Sequence, residues 1–146
     1  MSLSSGTYRI YGQSHTLQVG SFIGNSAGTN PLFIYPQTTT GLPSFSITGL
    51  SSGKYQIKYG GAPVASSSGF LVANTAPGAV ATEWTLQYVP QHGANSYLIS
   101  FNQASYWSSI PAGPTNQTSL QRYIYSGPTV PPTYSSGNVF QLDKLD

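Results

Sequence analysis

The stretch Gly6-Thr7-Tyr8-Arg9-Ile10 occurs again further along the chain in altered form. Gly53-Lys54-Tyr55-Gln56-Ile57 keeps the glycine, the tyrosine and the isoleucine, and Asn95-Ser96-Tyr97-Leu98-Ile99 keeps the last two. The starts of the three stretches are 47 and 42 residues apart. A repeat of this length indicates a structural unit used three times, because one such unit cannot bury its apolar face alone.

The ends of the units repeat as well, with an aromatic, a polar and an aliphatic residue in Phe45-Ser46-Ile47, Trp84-Thr85-Leu86 and Phe140-Gln141-Leu142. Between these points, short Tyr-, Ile-, Val- and Phe-rich runs alternate with Gly, Pro, Ser and Asn clusters, which is typical of strands and turns. Three units of four strands predict an all-β fold, a β-trefoil with pseudo-threefold symmetry. We expect a single domain over residues 1–146, with units at roughly 6–50, 53–92 and 95–146, and with the unit-end aromatics meeting near the axis. A β-sandwich with coincidental repeats is the alternative.

Charged residues make up only 5% of the chain, where about a quarter is usual, and the net charge is +2. Five scattered Lys and Arg residues do not form the basic face that nucleic acid or an anionic membrane requires. A content of 13% aromatic residues argues for a packed fold rather than disorder. Cysteine is absent, which excludes disulfides, thiolate catalysis and cysteine-based zinc sites.

The first residues carry neither a charged segment nor an apolar run, and no stretch approaches the length of a transmembrane helix. The sequence therefore predicts a soluble protein of the cytoplasm.

Few residues are available for acid–base catalysis. The carboxylates are Glu83 at the start of a predicted strand and Asp143 and Asp146 in the C-terminal tail, and the histidines are His15 and His92, both in predicted turns. No Gly-x-Ser-x-Gly motif, phosphate-binding loop or metal-ligand spacing occurs, although a Ser-His-Asp arrangement stays open at this point. We expect a protein that is not an enzyme and that needs no cofactor or metal.

One string points to a known family. Glu83-Trp84-Thr85-Leu86-Gln87-Tyr88-Val89-Pro90-Gln91-His92-Gly93 resembles the start of the last third of the cospin-type mushroom inhibitors, a family of fungal β-trefoil serine-protease inhibitors. Further pieces resemble the family in the same order, among them Gly60-Gly61-Ala62-Pro63, Trp107 and Phe140. The resemblance implies a β-trefoil, a soluble protein of the fruiting body, and a role in defence or regulation.

The resemblance also implies a protease-binding loop between the second and third strands, here Asn25, Ser26, Ala27, Gly28 and Thr29. When the chain is aligned on Asn30-Pro31, the resemblance implies that several relatives carry Arg at the position of Ala27, and Arg suits the acidic pocket of a trypsin-like protease. Ala27 suits a small apolar pocket, so the expected partner is an elastase-like rather than a trypsin-like serine protease. A polar surface loop without a partner is the alternative.

A carbohydrate-binding lectin on the same scaffold is the second functional hypothesis. Asn102, Gln103, Tyr106 and Trp107 place amides beside aromatic rings, and a neutral sugar needs both kinds of group. The competing interpretation is that Trp107 fills the core, as large aromatic residues often do.

A third loop, over residues 126–134, contains Pro128, Pro131 and Pro132, which favour an extended conformation. The sequence is compatible with a second inhibitory loop or with a lid packed across the barrel.

Overall fold

A computed structural model of the chain describes residues 3–21, 29–67, 69–76, 82–109, 118–121, 128 and 130–145. These residues form two 3-10 helices, Pro90–His92 and Ser136–Asn138, and thirteen strands. The strands are β1 (Gly6–Gly12), β2 (Leu17–Gly20), β3 (Thr29–Pro31), β4 (Phe33–Pro36), β5 (Phe45–Gly49), β6 (Tyr55–Tyr59), β7 (Ala62–Ser67), β8 (Phe70–Asn74), β9 (Glu83–Tyr88), β10 (Ser96–Phe101), β11 (Ser105–Ser108), β12 (Ser119–Gln121) and β13 (Phe140–Lys144). The fold is all-β, as the sequence predicts.

Six of the strands close into a ring. In order, β1 pairs with β5, β5 with β6, β6 with β9, β9 with β10, β10 with β13, and β13 again with β1. All six pairings are antiparallel. Closure pairs both edges of every ring strand, which removes the open edges on which sheets aggregate.

The repeated stretches occupy matching places in this ring. Tyr8 lies opposite Phe45, Tyr55 opposite Trp84, and Tyr97 opposite Phe140, so the first tyrosine of each unit faces the unit-end aromatic in the same register. All six side chains are buried in one core cluster, together with Ile10, Ile57 and Ile99. The expectation that the unit-end aromatics point inward is therefore confirmed.

Edge-to-face ring contacts connect the core aromatics. Trp107 packs against Trp84 with ring centroids 5.5 Å apart, and against Phe140 at 5.8 Å. The Trp84 indole N–H donates to the carbonyl oxygen of Val64 over 3.2 Å. Such arrangements are the geometry that aromatic quadrupoles favour, so the rings have defined orientations as well as large buried areas.

The other seven strands lie outside the ring, and three main-chain segments meet where β3, β8 and β12 pair. The Leu32 N–H donates to the Leu71 carbonyl at 3.0 Å, the Leu71 N–H to the Thr118 carbonyl at 3.0 Å, and the Thr118 N–H to the Leu32 carbonyl at 2.8 Å. The three hydrogen bonds form a closed cycle among residues that are each fully buried. The cycle satisfies six backbone groups that water cannot reach.

The Thr118 hydroxyl is buried and has no hydrogen-bond partner among the residues that the structure describes. Replacing it by the similarly shaped valine removes an unsatisfied polar group, so we expect Thr118→Val to increase the free energy of unfolding by about 1–3 kcal/mol. Urea unfolding measures the change. The same substitution at exposed Thr48 serves as the control and should change stability by less than about 0.5 kcal/mol. A loss of stability in Thr118→Val would contradict the assignment of an unpaired hydroxyl.

Candidate functional site

The predicted protease-binding loop connects β2 to β3. Asn25, Ser26, Ala27 and Gly28 lie outside the described residues, whereas Thr29 begins β3, where it pairs with Asn74 of β8. The residues that flank this loop are described on both sides.

On the N-terminal side, a buried tyrosine holds the main chain. The Tyr59 hydroxyl accepts a hydrogen bond from the Ser21 N–H at 2.8 Å and donates one to the Ser21 carbonyl at 2.7 Å. Ser21 and Tyr59 are both buried. Because one hydroxyl satisfies both backbone groups of Ser21, the last described residue before the loop is fixed to β6.

Gly20 makes this contact sterically feasible. A Cβ atom at Gly20 would lie 2.8 Å from the Tyr59 hydroxyl oxygen and 3.1 Å from a methyl group of Leu42. Any side chain there would displace the hydroxyl from Ser21. The glycine at the end of β2 therefore serves close packing.

On the C-terminal side, β3 pairs antiparallel with β8. Thr29, Asn30 and Pro31 lie opposite Asn74, Ala73 and Val72. The Asn30 side-chain amide also donates to the Thr75 hydroxyl oxygen at 3.2 Å. The loop is thus anchored at both ends, by a side chain of β6 and by a strand pairing with β8. Loops held by a rigid scaffold in this way are favoured places for binding residues.

The proline-rich loop has a different kind of support. Val130 is 98% exposed and the neighbouring Pro131 is exposed as well. Behind them, the Gln91 side-chain amide donates to the Pro132 carbonyl at 2.7 Å, and the Tyr134 N–H donates to His92 Nε2 at 2.9 Å. The 3-10 helix Pro90–His92 therefore holds the base of a segment whose apolar tip faces solvent.

The contact with Tyr134 also shows the structural role of His92. His92 Nε2 is the acceptor of the hydrogen bond from the Tyr134 N–H. The Tyr134 ring packs beside the imidazole with centroids 6.0 Å apart. His92 holds this loop in place.

The four residues of the sugar-site hypothesis do not form one surface. Asn102 and Gln103 are exposed in the β10–β11 turn with positive φ values of 52° and 58°, and the Lys54 ammonium donates to Asn102 Oδ1 at 2.6 Å. Tyr106 is half-buried and packs against Val89, Leu98 and Val139.

Trp107 is 0% exposed and contacts the rings of Trp84 and Phe140, so neither of its faces is open to a sugar. This corrects its place among the predicted sugar-binding residues and supports the competing interpretation of a core tryptophan.

His15 and Asp143 lie together on the surface. His15 Nε2 is 3.2 Å from both carboxylate oxygens of Asp143, and both side chains are well exposed. Among the described residues, no serine or threonine hydroxyl is hydrogen-bonded to this imidazole, and no three His, Cys, Asp or Glu residues could share a metal ion. No described helix is long and apolar enough to cross a membrane.

Comparison with known proteins agrees with this arrangement. The family described as Peptidase inhibitor I66 matches residues 1–144. The chain belongs to this family. A protein of Lentinula edodes, described as a serine protease inhibitor, is 27% identical to the chain over 146 residues, which cover 99% of this chain and 100% of the relative.

Solved structures share the fold. A proteinase inhibitor from Coprinopsis cinerea superposes with a TM-score of 0.84 at 23% identity, covering 99% of this chain and 100% of that one. The designed threefold-symmetric protein ThreeFoil superposes with a TM-score of 0.65 at 16% identity, covering 96% and 99% of the two chains. The family therefore uses a frame that also exists in an explicitly threefold form.

The residues that anchor the two loops were not predicted from the sequence. The sequence around Tyr59 indicates a core strand, and the contact of Tyr59 with Ser21 joins residues 38 positions apart in the sequence. Gln91 and His92 lie within the family-like string, but their contacts to Pro132 and Tyr134 span about 40 residues. A sequence repeat shows which residues occupy equivalent positions, but it does not show which loop residues their side chains contact.

We expect Tyr59→Phe to remove both hydrogen bonds to Ser21 and to lower the free energy of unfolding by about 1–3 kcal/mol, because two buried backbone groups lose their partner. Tyr55→Phe is the matched control, since its hydroxyl likewise bonds both the N–H and the carbonyl of Leu3. Both variants should lose stability in urea unfolding, but only Tyr59→Phe should weaken protease inhibition. Equal inhibition by the two variants would contradict a role for Tyr59 in fixing the β2–β3 loop.

Burial raises the pKa of the Tyr59 hydroxyl above its usual value of 10.0, although the hydrogen bond with Ser21 opposes the shift. The unfolded chain ionises first, so this contribution to stability is complete below pH 10.0 and is lost as the pH rises through the higher native pKa. We expect the free energy of unfolding to fall with pH above that point, and to fall less steeply in Tyr59→Phe. Urea unfolding across this pH range tests both statements, and identical slopes would contradict them.

Proposed function

We propose that this protein is a non-enzymatic inhibitor of serine proteases that acts through a surface loop held by a rigid β-barrel. Membership of the I66 family and the likeness to a serine protease inhibitor of Lentinula edodes support the function. The observation that carries the proposal is the anchoring of the β2–β3 loop at both ends, by Tyr59 and by β8. A loop held before binding loses little conformational entropy on binding, so a small contact can be tight.

We further propose that the frame is a β-trefoil with units at roughly 6–50, 53–92 and 95–146. The closed six-stranded ring, the shared register of the three tyrosine–aromatic pairs and the cycle of three backbone hydrogen bonds all support threefold symmetry. On the basis of the family resemblance, we also propose that the protein is soluble and lies in the fungal cytoplasm.

Ala27 is the proposed specificity residue. A methyl side chain fits a small apolar pocket, so the proposed target is an elastase-like protease. Inhibition constants against elastase, trypsin, chymotrypsin, subtilisin and the cysteine protease papain test this first. Tight inhibition of elastase alone supports the proposal, and inhibition of none of the serine proteases would overturn it.

Substitution of the specificity residue is the sharper experiment. We expect Ala27→Arg to create or strengthen trypsin inhibition by about 100-fold, because a guanidinium adds a charged hydrogen bond in an acidic pocket. Inhibition kinetics with trypsin provide the measurement, with elastase inhibition expected to fall in the same variant. If trypsin is unaffected at micromolar inhibitor, the β2–β3 loop is not the reactive site.

The proline-rich loop is the alternative reactive segment of the same proposal. Val130 presents an exposed β-branched side chain above a base held by Gln91 and His92. Val130→Arg therefore makes a matched partner for Ala27→Arg, since each variant adds the same side chain to one loop. The variant that gains trypsin inhibition identifies the loop that enters the protease.

A further inference from the structure

A small surface cavity lies between the β1–β2 hairpin and the segment that follows β4. Its volume is about 270 Å³, and it is lined by Arg9, Tyr11, Gln18, Gln37 and the segment 38–41. All eight residues are described, and none belongs to the two loops considered above. The lining carries two amides, three threonine hydroxyls, a phenol and a guanidinium.

Gln18 is the unusual member of this lining. Its side chain is only 3% exposed, and it lies on β2 between Tyr11 of β1 and Tyr35 of β4. Directly opposed residues of antiparallel strands project to the same face, so the amide is flanked by two tyrosines. Within the described parts of the chain, the Gln18 side-chain amide makes no hydrogen bond. Unlike the Thr118 hydroxyl, this amide is not fully enclosed by protein: it reaches the surface at the cavity, where a ligand can pair with it.

The Arg9 guanidinium also makes few interactions with the described residues. One guanidinium nitrogen, Nη1, reaches the Leu42 carbonyl over a long 3.4 Å. Asp143 lies directly opposite Arg9 on β13, yet its carboxylate contacts His15 instead. Among the described residues no ion pair involves Arg9, so its guanidinium keeps most of its donors for something else.

The scaffold does not require these two side chains. The shared register places Gln18 in the same position as Pro63 of the second unit and Tyr106 of the third. Arg9 corresponds in the same way to Gln56 and Leu98. The other two units thus fold without an amide at the place of Gln18 and without a guanidinium at the place of Arg9, so the fold does not require these two groups.

We propose that this cavity binds one sugar residue that carries a carboxylate, such as a hexuronate. Arg9 would receive the carboxylate, for which a guanidinium offers parallel N–H donors, and Gln18 with the threonine hydroxyls would bond the ring hydroxyls. Sites for drug-sized ligands begin at about 300 Å³, so a cavity of this size suits a single ring rather than a longer chain. The site is independent of protease inhibition and goes beyond it.

Titration of the full chain with sodium glucuronate and sodium galacturonate, followed by backbone amide NMR shifts, tests the proposal. Saturable shifts of Arg9, Gln18 and residues 37–41 with at least one of the two salts are expected. Glucose and sodium acetate, which each supply half of the ligand chemistry, should bind at least about tenfold more weakly. Equal binding of glucose or of acetate, or no saturable binding of either hexuronate, would overturn the proposal.

Two variants locate the binding. Gln18→Met keeps the shape and removes the amide, and Arg9→Gln installs the residue that the second unit already has at this place. Each should weaken hexuronate binding by about tenfold or more, whereas the control Gln56→Met, at the equivalent of Arg9 in the second unit, should not.

Melting temperature provides an independent readout. An amide kept for a ligand stabilises nothing in the free protein, so Gln18→Met should melt at the same temperature as the wild type or higher. A clearly lower melting temperature would show that the amide serves the fold, and it would overturn the proposal.

Discussion

The closed cycle of hydrogen bonds among Leu32, Leu71 and Thr118 is the contact on which the arrangement of the strands outside the ring depends. Three main-chain segments from distant parts of the sequence meet in a dry interior, where each N–H must find a carbonyl. With three segments, every donor finds its acceptor in the next segment and no group remains unpaired. Because each residue donates to one segment and accepts from the other, all three segments must be in place before the N–H and the carbonyl of any of the three residues are both satisfied.

The closed ring of strands also gives the two loops a rigid support. The six-stranded ring leaves no strand edge to move, and long-range contacts extend its rigidity outward: Tyr59 fixes Ser21, and His92 fixes Tyr134. The two loops that could enter a protease are therefore supported by side chains from elsewhere in the chain.

Some positions differ in residue type between the repeats, and at these positions one repeat places a polar group where another repeat has none. The first tyrosine and the end aromatic of each repeat are buried in the same core. By contrast, Thr118 places a hydroxyl where the equivalent residues of the cycle are leucines, and Gln18 places an amide where another unit has Pro63. The Thr118 hydroxyl has no hydrogen-bond partner among the described residues, and the Gln18 amide lines a polar cavity.

The sequence alone determined the repeat, the all-β class and the inward aromatics Phe45, Trp84 and Phe140, because periodic apolar residues record burial directly. Its resemblance to a family was sufficient to indicate the inhibitor class. It left Trp107 open between core and sugar site, since a tryptophan serves either purpose. Only the tertiary structure buried that ring, joined Tyr59 to Ser21 and left the Gln18 amide without a hydrogen bond to the described residues. Those outcomes depend on contacts across many residues of separation, and such contacts exist only once the ring has closed.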